Sequence, residues 1–336
     1  MKRFVKVSLS LVISLAVIYS VLWFAATTFI KNQIIKEIER VKSEEVEISY
    51  DNNIRVSGYP SKIKLSFSKL KINYKKDLGF DLDSDSLMLT SDLLFSGLHL
   101  AFGDNTVVKT AKTSFIYDET KAPNLSFKFS KPMIMSMTPN HFKDFAQDLS
   151  FVSYNDSGFT LIDNVVDAPV IVFDYTDLIL NRDNKNSKIN SIVIAKSSWQ
   201  DADAHFDPVE FSADVAVRMN NDQSKQFVDV INIDKITLKS DQASIALDGV
   251  FNKTDTSNNL VGALNVVLNN YAMTLDFLTK KKLIDNEATI KKLLQKIADV
   301  DDQARDVSFA IKYDGKSDLT IGTMSIASLI MAYYQQ

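Results

Sequence analysis

The sequence predicts a mainly β protein of the α+β class: an N-terminal transmembrane helix, then an extended, curved antiparallel β-sheet body carrying one or two amphipathic helices. Three observations predict it. The stretch from Val7 to Ile30 holds no charged residue; apolar and polar residues alternate through most of the chain beyond Val46; and a helical period replaces that alternation only near residues 142–149 and 271–300.

The leading stretch is bounded by Lys6 and Lys31. At about 1.5 Å per residue, Val7–Ile30 makes roughly 36 Å of helix, enough to cross a hydrocarbon core of about 30 Å with some tilt. A cleaved signal peptide is the competing reading. Its apolar core is usually only about 7 to 15 residues long and ends at a small-x-small site. Ala25-Ala26 followed by Thr27-Thr28 is a poor cleavage signal, so an uncleaved anchor is expected. Lys2, Arg3 and Lys6 precede the span, whereas Lys31, Lys36, Glu37, Glu39 and Arg40 follow it as a mixture. That asymmetry predicts a cytoplasmic N-terminus at residues 1–6 and a body outside the cytoplasm. Ile30, Ile34, Ile38 and Val41 keep the helical period, so a helical stalk is expected over 31–43.

The body, residues 44–336, reads as strands. Val209, Phe211, Ala213, Val215, Val217 and Met219 form the longest alternating series. Shorter ones are Leu98, Leu100 and Phe102; Leu125, Phe127 and Phe129; Ile171, Phe173 and Tyr175; and Val307, Phe309, Ile311 and Tyr313. One series changes phase: Ile63, Leu65 and Phe67 are odd-numbered, Leu70, Ile72 and Tyr74 even. Either a bulge at Ser68-Lys69 restores the face, or a separate short strand follows a break. With nine glycines and six prolines in the chain, the turns fall to Asn- and Asp-rich clusters such as Asn155-Asp156-Ser157-Gly158. Gly58-Tyr59-Pro60 is read as a kink at an edge or bend.

Phe142, Phe145 and Leu149 predict a short helix beginning near Pro139 and Asn140. Leu275 with Leu278, then Ile290, Leu293, Leu294, Ile297 and Val300, predict a stronger helical region over 271–300. Lys280 to Lys282 and Lys291-Lys292 are read as its solvated face. No repeat or low-complexity linker divides the body, although a soft division near 150–165 is compatible with the pattern.

Composition excludes several classes. A formal charge of -4 with scattered lysines lacks the concentrated positive field that nucleic acid requires. With no cysteine, disulfides, thiolate metal sites and a cysteine nucleophile are impossible. Asp81, Asp83 and Asp85 open with calcium-loop spacing, but Ser86 stands where glycine is needed and Asp92 where a bidentate glutamate belongs. Asp201, Asp203, His205 and Asp207 would share one face of an extended segment, yet the same parity turns apolar at Val209 and Phe211; a polar approach to a strand outweighs a metal site. No metal or other cofactor is expected. His99 and His141 have no identifiable catalytic partner in sequence, and phosphate-binding, dinucleotide-binding and zinc-protease motifs are absent. The chain is therefore read as a non-enzyme.

An anchor carrying Tyr19 and Trp23-Phe24-Ala25-Ala26, a basic-acidic helix, and a strand with Gly58-Tyr59-Pro60 resemble the start of the DUF2125 family of uncharacterised bacterial envelope proteins. Leu264 to Tyr271, Leu283 and a closing hairpin through Asp314-Gly315 with Leu319, Ile321, Gly322 and Ile326 resemble that family's end, and are similar to the C-terminal part of AsmA-like proteins. The resemblance implies an inner-membrane anchor and a periplasmic body, with no catalytic residues. AsmA-like proteins imply, by fold analogy, an apolar β groove for lipid. On that reading Phe127, Phe129, Phe173, Phe211 and Phe309, otherwise core residues, line a groove that binds or transfers a lipid or other amphiphile. The alternative is an envelope scaffold binding other proteins. Expected partners are thus the bilayer through Val7 to Ile30, a lipid ligand and envelope proteins.

Overall fold

A computed structural model describes residues 2–51, 54–76, 79–94, 96–117, 122–130, 149–185, 188–201, 208–222, 225–240, 243–254, 259–280, 287–300, 304–315, 319–322, 324–325 and 328. The fold is mostly β, with antiparallel pairing between the strands. An apolar N-terminal helix, α1 (Lys2–Val41), leads into it. The chain divides into two compact units, Met1–Leu149 with Asp156–Pro169, and Ser150–Asn155 with Val170–Gln336. The helix expected near residue 140 lies outside the described residues.

The first unit is built on a long hairpin of β3 (Lys62–Tyr74) and β4 (Phe80–Asp92). Two short strands, β1 (Val46–Ser49) and β2 (Arg55–Ser57), share the outer edge of β3. The far edge of β4 is shared by β5 (Gly97–Phe102) and β6 (Val107–Lys109). Beyond β5 lies β8 (Asn124–Phe129); beyond β6 lie β7 (Thr113–Ile116) and then β10 (Phe159–Asp163). Ile63, Leu65 and Phe67 of β3 are buried with Ile54 and with Ile30 of α1, and Ala26, Ile34, Ile35 and Ile38 pack around them. The segment expected as a stalk thus lies against the sheet. Its charges pair along the helix, Arg40 with Glu37 and Lys42 with Glu39, both at 2.7 Å.

The phase change in β3 occurs within one continuous strand. Lys69 takes a left-handed backbone, φ 54°, while Ser68 faces Ser86 and Leu70 faces Ser84, so neither strand gains a residue over the other. β4 changes phase in step: Leu82 and Ser84 precede, Leu87 and Leu89 follow, and both strands turn their apolar side chains at the same level.

The second unit is a meander in which each strand pairs with the next: β11 (Ala168–Lys185), β12 (Lys188–Asp201), β13 (Val209–Asp222), β14 (Lys225–Lys239), β15 (Ser244–Lys253) and β16 (Leu260–Asn269), continuing through β17 (Val307–Tyr313), β18 (Leu319–Ile321) and β19 (Met324–Ser325). β9 (Leu149–Asp156) pairs with β11. Between β16 and β17 the chain forms α2 (Tyr271–Lys280) and α3 (Glu287–Ala298), within the region expected to be helical.

Among the described residues, three extra residues interrupt the pairing of β11 with β12 and of β13 with β14, and each is an aspartate. Phe173 faces Trp199 but Tyr175 faces Ser198, which leaves Asp174 over. On β14 the same happens twice: Val215 faces Ile233 where Asp214 faces Lys235, and Met219 faces Val228 where Arg218 faces Val230, which leaves Asp234 and Asp229 over. A bulge adds a bend and local twist and shifts the side-chain phase. Here each shift returns an apolar series to one face after it would have slipped to the other.

Candidate functional site

Cross-strand partners of an antiparallel sheet project to the same side, so the registers sort the second unit into two faces. One is apolar in successive rows. Leu178, Ala195, Ala213, Ile236, Leu247, Val266 and Phe309 form one row across β11 to β17. The next holds Leu180, Val193, Val215, Ile233, Gly249, Leu264 and Ile311. On the other side of the first lie Ser197, Phe211, Leu238, Ile245, Leu268 and Val307. The opposite face is mixed: Lys196, Ser212, Thr237, Asp248 and Asn265 lie on it beside Ile179, Ile192, Ile194 and Val250, and Ser212 and Thr237 share a 2.6 Å hydroxyl hydrogen bond across the strands.

The apolar face is covered unevenly. Over β15 to β17 the helices close it: Tyr271 and Leu275 of α2, with Ile290 and Leu294 of α3, pack on Val266, Leu268 and Val307. The 3.6-residue period of α3 brings Ile290, Leu294 and Ile297 to one side, while Lys291 reaches over the Tyr271 ring, 5.9 Å from its centre. Gln295 Nε2 donates to the Tyr271 hydroxyl at 2.8 Å, so that buried phenol has its polar partner. Toward β12, β13 and β14 the same face is only half-buried, at Val193, Ala195, Phe211, Ala213, Val215, Ile231 and Ile233, and Leu178 on β11 is 40% exposed. Gly262 lies in this face beside Phe251, where a side chain would meet the Val250 carbonyl oxygen at 2.1 Å, so β15 and β16 approach more closely than any larger residue permits.

Of the five phenylalanines expected at a groove, three share this face. Phe211 is half-buried at mid-sheet, Phe309 packs on the core under α2 and α3, and Phe173 lies opposite Trp199, ring centres 5.9 Å apart. Phe127 and Phe129 belong to the first unit, where Phe127 faces Leu98 half-buried and Phe129 is buried. Sequence reasoning passed over Trp199, Leu178, Leu180 and the β14 residues. β14 shows no simple alternation, because its apolar residues step by three at each extra aspartate.

Of the remaining candidates, those whose side chains the structure describes pair with neighbouring polar side chains. Asp81, Asp83 and Asp85 alternate along β4 rather than around a loop. Asp83 pairs with Lys71 at 2.7 Å, Asp85 accepts from Asn105 at 2.8 Å, and Asp81 accepts from Asn73. Asp201 ends β12, while Asp203, His205 and Asp207 lie outside the described residues, as does His141. His99 is on the polar side of β5, with Nδ1 2.7 Å from the Ser126 hydroxyl. Among the described residues no group of three or more His, Asp or Glu side chains could hold a metal ion.

From Ser14 onward α1 is long and apolar enough to cross a membrane. Comparison with protein-family models, with curated proteins and with solved structures finds no match to this chain.

Proposed function

We propose that this chain is a single-pass bacterial inner-membrane protein with a periplasmic body that binds or transfers a lipid or other amphiphile on the apolar face of its second unit. The observation that carries the proposal is the uneven covering of that face, buried beneath α2 and α3 and half-buried over β12 to β14. An acyl chain laid on the half-buried rows exchanges water for Phe211, Val215 and Ile233. At about 0.8 kcal/mol per buried CH₂, eight methylene groups contribute about 6 kcal/mol before the cost of ordering the chain. The orientation rests on Lys2, Arg3 and Lys6 ahead of the span. The resemblance of both chain ends to the DUF2125 family, and of the last part to AsmA-like proteins, supports the same compartment and ligand class. The reading assigns no chemical step and no cofactor.

The test uses the full chain, extracted in detergent, delipidated and incubated with a fluorescent fatty acid. Uptake is expected, together with a retained lipid mass in native mass spectrometry of the untreated protein. Phe211→Ser with Val215→Ser should lower uptake at least several-fold. Asp214→Ala with Arg218→Ala, on the opposite face, should leave it unchanged. No uptake of fatty acid or phospholipid by folded protein overturns the proposal. Discrete protein adducts without lipid on crosslinking in cells would favour a scaffold.

A further inference from the structure

The apolar stretch of α1 is not wholly free for lipid. From Tyr19 onward one of its faces is occupied by the turn between β2 and β3. The Tyr19 hydroxyl donates to the Pro60 carbonyl, Ser20 Oγ lies 2.8 Å from the Tyr59 hydroxyl, and Trp23 Nε1 donates to the Lys62 carbonyl at 3.3 Å. Trp23 and Tyr59 meet edge to face with ring centres 5.4 Å apart. The rest of the helix surface stays bare and apolar well beyond this point: Val21, Leu22 and Phe29 are 62%, 62% and 56% exposed. Only from Asn32 and Lys36 does it become polar.

Counted from Val7, about 20 helical residues fill a hydrocarbon core of about 30 Å, which ends near Ala26. Tyr19 then lies roughly 10 Å below that boundary at about 1.5 Å per residue, and the turn bonded to it lies at the same depth. Backbone at such depth requires internal partners for its polar groups. Four of this turn's groups have them: the Pro60 and Lys62 carbonyls accept from the helix, and Lys62 N–H donates to the Gly58 carbonyl at 3.0 Å. Gly58 is required by the turn, since its φ is +101° and a side chain would meet the Lys62 carbonyl oxygen at 2.7 Å.

A second turn lies at the same end of the sheet. Lys62, the first residue of β3, faces Asp92, the last of β4, so the chain leaving β4 emerges beside the Tyr59-Pro60 turn. There Leu93 packs on the core shared with α1, Leu94 is 58% exposed, and the Asp92 carboxylate accepts from the Leu94 and Ser96 N–H groups, both at 3.0 Å. Tyr59, 49% exposed, and Leu94 therefore present apolar surface side by side at this end of the sheet.

We infer that the β2–β3 turn and the chain leaving β4 at Leu93-Leu94 form a second membrane contact beside α1, so that this end of the first unit dips into the bilayer that α1 crosses, with Tyr59, Pro60 and Leu94 immersed. The inference rests on the anchor half of the proposed function and is independent of the lipid-binding half. It predicts a fixed depth for one end of the β3–β4 hairpin. The other end, at Lys76 and beyond Tyr74, lies roughly 40 Å away along the strands, at about 3.3 Å per residue.

The chain has no cysteine, so one introduced thiol gives one labelled site. Tyr59→Cys, Leu94→Cys, Lys76→Cys and Leu15→Cys, each carrying an environment-sensitive fluorophore, are reconstituted as full chains in vesicles of phosphatidylethanolamine and phosphatidylglycerol. Quenching by spin-labelled lipid is compared with quenching by aqueous iodide. The expected result is several-fold stronger lipid quenching at positions 59 and 94 than at 76, with iodide giving the reverse order. If 59 and 94 behave like 76 while position 15 is quenched by lipid, α1 is an anchor and the second contact does not exist. If position 15 also escapes lipid quenching, the anchor falls together with the inference.

Discussion

Deletion of Thr237, set against deletion of Asp234, is the perturbation that most directly tests the bulged meander. Asp234 is the extra residue between Ile233, which faces Val215, and Lys235, which faces Asp214, so its removal leaves both pairs in place and straightens the strand. Thr237 has a partner on each side, Ser212 and Ala246. Without it, one part of β14 must slip by one residue against β13 and β15, and a one-residue slip turns every side chain in that part to the other face. Leu238 would leave the apolar face, and Lys239 would enter it. Full burial of such an aliphatic side chain is worth about 1.5 to 3 kcal/mol. Leu238 is half-buried, so its displacement costs about 1 to 1.5 kcal/mol, and loss of the hydroxyl hydrogen bond between Thr237 and Ser212 brings the total to about 2 to 3 kcal/mol. Desolvation of Lys239 adds to it. Deletion of Asp234 removes an exposed side chain whose carboxylate accepts from Asn232 at 2.6 Å. A loss of at most about 1 kcal/mol is expected. Thermal unfolding of the full chain in detergent, followed by the β signal in far-ultraviolet circular dichroism, separates the two. At about 2 to 4 °C per kcal/mol for a unit of this size, deletion of Thr237 should lower the midpoint by roughly 4 to 12 °C or abolish folding of the unit, and deletion of Asp234 by no more than about 4 °C. Equal shifts for both would refute Asp234 as the residue left over between in-phase rows.

Two further predictions use matched pairs on one helix. In α1, Ile30 is 2% exposed against Ile54, Ile63, Leu65 and Phe67, whereas Phe29 is 56% exposed; Ile30→Ala should cost about 2 to 5 kcal/mol in the same melt and Phe29→Ala less than about 1. Equal effects would mean that α1 does not dock. In α2, Leu275 is 1% and Met273 38% exposed; Leu275→Ala should destabilise by about 2 to 5 kcal/mol and Met273→Ala by about 0.5, and denaturant midpoints that fail to rank them so would contradict the helical cap over β15 to β17.

How much was legible varies with the kind of signal. The apolar helix, the alternating strands and the helical insert before β17 were readable, since each writes its period directly into residue type. The docked face of α1 was not: Trp23, Thr27 and Ile30 follow the helical period, but inside an uncharged run they stand among residues as apolar as themselves, and no polar contrast marks which side meets protein. The lipid-facing residues are as hydrophobic as the core ones. The phase change near Lys69 was visible in β3, but its mechanism depends on Ser86 and Ser84 across the pair, which no single strand encodes. In β14 the signal was present and unread: Val228 to Ile231 and Ile233 to Ile236 each step by three, with Asp229 and Asp234 inside the steps. The groove phenylalanines were chosen by residue type and alternation alone. Neither of these distinguishes Phe127 from Phe211, because register decides which strands lie side by side.

The pairing of every strand from β11 to β19 with its immediate successor has a consequence for how the second unit is assembled. A chain delivered from one end, as during synthesis or translocation, can add each new hairpin arm to an edge already laid down, with a short connection to close at each step except from β16 to β17, where α2 and α3 intervene. The growing edge is then the one aggregation-prone surface at any moment, and the next few residues of the same molecule are what extinguish it.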